Sequence, residues 1–192
     1  MLLNKIFYVK IKKTFIMKFN FNHFCLGFIF LTLIACSKDE DTALNVNSEN
    51  LKGTWNLVSL SCTDGTSTID ILGQQSTSTF VVSSKDHQAT VTYNLNPNTF
   101  VGQGSYTSIV TTNIAGVKDT QEVPFEDFTS TGTWKLEGNT IIVSSPGAAD
   151  QKAEITKFDA NNLEYKLLVN ETIEELGYKI TSKGTYITKL TR

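Results

Sequence analysis

The sequence predicts an all-β domain over residues 51–192, an antiparallel up-and-down β-barrel of about eight to ten strands. Three observations predict it. Apolar residues recur with period two rather than 3.6. Threonine, valine, isoleucine and aromatic residues, which fit a pleated surface, are plentiful. Turn signals punctuate the alternating runs at short intervals.

Each run carries its own warrant. Ala89, Val91, Tyr93 and Leu95 share one face of "QATVTYNL", with Thr90, Thr92 and Asn94 on the other. Trp134 and Leu136 alternate with Thr133, Lys135 and Glu137, and Leu163, Tyr165, Leu167 and Val169 alternate through "LEYKLLVN". One side of each run therefore meets a core and the other meets water. Gly138-Asn139 predicts a tight hairpin turn between "TWKL" and "TIIVSS". Asn96-Pro97-Asn98, Ser145-Pro146-Gly147 and Asp159–Asn162 mark longer connections. Glu171–Leu176 is the one stretch that reads as a short helical turn. Hairpins joined in sequence favour a closed barrel, because closure removes exposed strand edges.

The N-terminal segment obeys a different logic. Phe24–Ala35 is an apolar run of 12 residues preceded by lysines. It is too short to cross a hydrocarbon core, which needs ~20 residues. Basic residues, a short apolar stretch and a small residue make the pattern of a secretory signal peptide over residues 1–35, with Met17 as an alternative start. Leu33-Ile34-Ala35-Cys36 then resembles the bacterial lipobox. The resemblance implies cleavage between Ala35 and Cys36, and a thioether lipid with further acylation, palmitate-like, on Cys36. Two or more acyl chains at ~0.8 kcal/mol per buried CH₂ hold a protein firmly on a bilayer. Ser37-Lys38-Asp39-Glu40-Asp41 resembles the surface-export signal of Bacteroidetes lipoproteins. The polar stretch over residues 36–50 lacks apolar periodicity and reads as a flexible tether. The expected address is the outer membrane, facing the periplasm or the cell surface.

The opening of the predicted barrel carries a second resemblance. Leu51–Val58, "LKGTWNLV", places Gly53 and Trp55 in the Gly-x-Trp pattern that begins the first strand of lipocalin-like domains. Gly132–Val143, "GTWKLEGNTIIV", is similar to a hairpin in the small lipocalin-like lipoproteins of Bacteroidetes. The resemblance implies that Trp55 packs across the closed end of a barrel, with Arg192 as the candidate to cover it. The Thr-Asp-Tyr motif of the true lipocalins is absent. An apolar or amphipathic small ligand is the implied cargo. Tyr93, Phe100, Tyr106 and Tyr165 would either line the cavity or fill it. A solid barrel would instead act through its loops, around Gln74–Thr79 and Gln121–Phe128, as an interaction or inhibitor module for an envelope protein.

Composition excludes other classes. The chain has 17 Lys and Arg against 19 Asp and Glu, and Lys5, Lys10, Lys12, Lys13 and Lys18 all precede Cys36 while no acid does. Residues 36–192 carry 12 basic and 19 acidic side chains, a net charge of −7, which repels nucleic-acid phosphates. Beyond Cys36 there is one histidine, His87, and one cysteine, Cys62, too few for a His/Cys metal cluster. Glu126-Asp127 and Glu174-Glu175 are adjacent pairs, which a strand points to opposite faces. The sequence therefore predicts no enzyme, no cofactor and no metal. Cys62 reads as a small, half-buried strand residue.

Overall fold

The computed structural model describes residues 46–175 and 178–192. The signal-peptide segment, the Leu33–Cys36 motif and the acidic cluster Ser37–Asp41 lie outside the described residues. The described chain enters through a single helical turn, α1 (Ser48–Leu51), whose N-cap Asn47 accepts a hydrogen bond from the Asn50 amide at 2.9 Å.

Nine antiparallel strands follow among the described residues: β1 (Gly53–Ile71), β2 (Gln74–Lys85), β3 (Thr90–Asn94), β4 (Thr99–Ile114), β5 (Val117–Glu137), β6 (Thr140–Ser144), β7 (Gln151–Phe158), β8 (Asn162–Glu175) and β9 (Tyr178–Thr191). Each pairs with its neighbour in sequence, save that β3 takes its place beside β1, and β9 returns to pair with β1. That last pairing, from Asn56–Thr191 to Ile71–Tyr178, closes the sheet into a ring. The all-β barrel read from the sequence is therefore the fold. Gly138-Asn139 turns β5 into β6, as its residue types predict. The expected helical turn at Glu171–Leu176 is instead strand through Glu175. Thr172 and Ile173 pair with Thr181 and Ile180 of β9, and that ladder overrides a local glutamate-rich preference.

Two strands share one place in the ring. β2 pairs with β1 at Cys62–Ile71 and β3 pairs with it at Gly53–Asn56, both running the same way. Both also pair with β4, so they form one strand broken at Asp86–Ala89 and the ring has eight positions. The break is mended by substitutes for the missing ladder. The Ser84 hydroxyl accepts the Leu60 amide at 2.7 Å, the Ala89 carbonyl accepts the Leu57 amide, and the Ser105 carbonyl accepts the Gln88 amide. Gly104 permits this arrangement. Its φ is +112°, and a Cβ there would stand 2.3 Å from the Gln88 carbonyl oxygen.

The wall of the barrel is uneven. β6 and β7 have 5 and 8 residues, whereas β5 has 21 and β8 has 14. β6 reaches only Thr133–Glu137 of β5, and β7 only Leu163–Leu167 of β8. Around the short strands the ring is complete and forms a closed half. Beyond them β8, β9, β1, β2, β4 and β5 continue as a taller wall, open between β5 and β8.

Candidate functional site

The closed half is a filled interior. Trp55 and Leu51 are wholly buried, with Trp134, Ile141, Leu163 and Leu190 at 3% exposure or less. Apolar burial on this scale, at ~25 cal/mol per Å², is the main term holding the domain together. Both indole N–H groups are paired as well. Trp55 Nε1 donates to the Leu51 carbonyl at 2.9 Å, and Trp134 Nε1 donates to the Asn94 carbonyl at 3.0 Å. The Arg192 guanidinium stands 4.1 Å from the centre of the Trp55 ring and donates to the Asn50 and Lys52 carbonyls. One side chain from the C-terminus thus covers the tryptophan and ties down the entering turn.

Three of the aromatics expected to line a cavity stand in this half. Tyr93 meets Trp134 edge-to-face at 5.4 Å, Phe100 belongs to the same buried cluster, and Tyr165 packs against it. Burial holds the Tyr93 phenol well above the usual tyrosine range, and it raises that of Tyr165 against the opposing hydrogen bond with Thr188. Tyr106 stands apart from them, in the open half, stacked on Phe125 at 4.8 Å and edge-on to Phe128.

The open half is built differently. Its small apolar cluster is Cys62, Phe80 and Val82, with Val110 and Tyr186 packed against it. Phe80 lies flat over Gly65, where a Cβ would come 2.3 Å from its ring. Cys62 is 1% exposed, deeper than expected, and its thiol donates to Asp64 at 3.4 Å. A register shift between Cys62 and Gly65 brings that carboxylate round, and the Thr185 amide and hydroxyl donate to it at 2.7 Å. These Thr185 bonds hold the Asp64 carboxyl below its ordinary range, while burial pushes the Cys62 thiol up. The Tyr186 phenol is pushed up to about 12, first by burial and then by the charges of Cys62, Glu171, Tyr106 and Asp64.

Small polar residues occupy interior positions above this cluster. Ser67 and Ser182, paired across β1 and β9, are 5% and 7% exposed. Ser67 Oγ is buried without a hydrogen-bond partner among the described residues. Sequence reasoning passed over these serines. Their signal was phase: Ser67 alternates in step with Ile69 and Ile71, and Ser182 in step with Ile180 and Tyr186.

His87 makes one contact of chemical interest, with its Nε2 2.8 Å from Ser84 Oγ. Ser84 already receives the Leu60 amide, so the pair is part of the repair at the strand break. Among the described residues, no three His, Cys, Asp or Glu side chains are grouped to hold a metal. A separate open groove of about 380 Å³ lies beside the break, lined by Gln88, Thr90, Gln103 and Asp127.

A meandering ring of eight strand positions, closed at one end around a buried tryptophan, is an up-and-down β-barrel. The sequence agrees: residues 51–165 match the lipocalin-like domain family, and the chain belongs to it. No curated protein matches the chain.

Proposed function

We propose that the protein is a lipid-anchored lipoprotein of the outer membrane whose barrel carries a small apolar or amphipathic ligand in its open half. The observation that carries the ligand reading is the contrast inside one barrel. In the closed half both buried indole N–H groups find carbonyls, whereas the open half buries a serine hydroxyl with no partner among the described residues. Membership of the lipocalin-like family supports the same reading. The anchor rests on the Leu33–Cys36 motif, with the polar residues between Cys36 and α1 as the tether to the barrel.

Two experiments test the two parts. Native mass spectrometry of protein purified from its own host should show a co-purifying small molecule, and a bare polypeptide mass sinks the carrier reading. Cys36→Ala should abolish detergent-phase partitioning, and a variant that still partitions refutes Cys36 as the anchor.

A second reading has its own observation. The tips of the β1–β2 and β4–β5 hairpins expose Leu72 and Val117 at 91% and 72%, beside Ile71 and Ile114. As an interaction module the protein would use these tips on an envelope partner. Replacing Leu72 and Val117 by Ser would then abolish capture of that partner while leaving any small-molecule cargo in place.

A further inference from the structure

Four polar residues far apart in sequence lie side by side across the open half. Ser78 of β2 pairs with Ser67 of β1, Ser67 pairs with Ser182 of β9, and Ser182 pairs with Glu171 of β8. Residues paired across strands share a face, with Cβ atoms about 4.5–5.5 Å apart. The four therefore form one continuous rung, on the interior face to which the burial of Ser67 and Ser182 assigns it. The next rung toward the tips is aliphatic on three strands, with Ile69 paired to Ile180 and Ile180 to Ile173. The rung below holds Phe80, Gly65, Gly184 and Val169. A polar belt is thus set between two apolar ones, and the strand beyond it ends at Ile71, which is 53% exposed.

We propose that this rung is the head-group subsite of the barrel, and that it selects an aliphatic amphiphile with a primary ammonium head. The proposal rests on the carrier reading above. An ammonium has three N–H donors and no acceptor. The rung offers it the Ser67 hydroxyl, which lacks a partner among the described residues, the neighbouring Ser182 hydroxyl and the Glu171 carboxylate. Glu171 also lies close enough to Tyr186 for its charge to add to the burial that keeps that phenol neutral, which sets the carboxylate toward the interior. The same charge repels a carboxylate head. The lysines on β9 do not offset it, because Lys179 and Lys183 fall on the alternate, outer phase, where Lys179 pairs with Glu174 at 3.2 Å. The tail would run along Ile69, Ile180 and Ile173. Four residues at ~3.4 Å each place Ser67 roughly 14 Å along the strand from Ile71.

The test uses the full chain in lipid nanodiscs, titrated calorimetrically with octylamine, octanol and octanoate against empty nanodiscs. Octylamine should bind about tenfold more tightly than octanoate. Glu171→Gln should bring octylamine to within about twofold of octanol, since the head then loses its counter-charge. Ser67→Ala and Ser182→Ala should each weaken octylamine by about three- to tenfold, with thermal unfolding of each variant reporting that the barrel is intact. Equal affinity for the three probes, a preference for octanoate, or variants with unchanged selectivity overturn the ammonium assignment. If none of the probes binds while protein from the host carries a co-purifying mass, the subsite falls and the carrier reading stands. If that mass is absent too, both fall.

Discussion

Trp55 and Ser67 lie on the same strand, face the same interior and are both almost fully buried, at 0% and 5% exposure. The tryptophan has everything a buried group needs: apolar neighbours around the ring, a carbonyl for its N–H and a guanidinium across its face. The serine has a hydroxyl and, among the described residues, no partner for it. The first is a finished protein interior and the second is an unfinished one. The difference separates a half whose buried indole N–H groups are paired from a half that buries a hydroxyl without a partner among the described residues.

The sharpest way to break that division is at Trp55. Trp55→Ala removes one of the two largest side chains of the closed cluster and leaves Arg192 with nothing to cover. It should cost about 3–5 kcal/mol, read as a lowered midpoint in urea unfolding. A loss below about 1 kcal/mol would mean that the closed half is not where stability resides. Arg192→Lys is a milder probe of the same end. It keeps the charge but cannot hold two carbonyls and a ring face together, and should cost about 1 kcal/mol in the same assay.

How much of this was legible in the sequence depends on the range of each interaction. The strands were, because alternation such as Ala89, Val91, Tyr93 is local and period two is unambiguous over several residues. So was the hairpin at Gly138-Asn139, whose turn chemistry is contained in two residues. The break between β2 and β3 was not, because the Ser84 hydroxyl stands in for a main-chain carbonyl and no pattern announces it. Nor was the polar rung, since Ser67, Ser78, Glu171 and Ser182 meet only once register is fixed across four strands. The strand at Glu171–Glu175 was hidden likewise. Its glutamates suit a helix locally, and only pairing with β9 makes them strand.

Alkaline titration reaches both halves, since burial also raises Tyr93 and Tyr165 of the closed one, and Tyr186→Phe isolates the open half. The Tyr186 phenol is pushed up to about 12, against ~10 for a tyrosine in the unfolded chain. Between these values the unfolded state has lost its proton while the folded state keeps it, so stability is intact below pH ~10 and falls as pH rises toward 12. An ultraviolet phenolate titration should show one late step fewer in Tyr186→Phe, beside those of Tyr93 and Tyr165, and the variant should lose stability less steeply over that window. A late titration unchanged in amplitude in Tyr186→Phe would assign it wholly to other tyrosines.

The smallest effect is the most telling. In an ordinary core, trading a hydrogen-bonded serine for alanine costs stability, because the bond is lost and its partner is stranded. Ser67 has no partner among the described residues to strand. Ser67→Ala should therefore leave thermal stability unchanged or raise it by up to ~1 kcal/mol in protein stripped of any ligand. In protein purified with its cargo, the same substitution should lower the melting temperature relative to wild type, because the bound molecule stabilises the fold in proportion to its affinity. The sign reversal between the two preparations is the signature of a polar group kept for a ligand. A loss of more than about 1 kcal/mol in the stripped protein would mean that Ser67 is already satisfied within the fold, and the two halves of the barrel would then be alike.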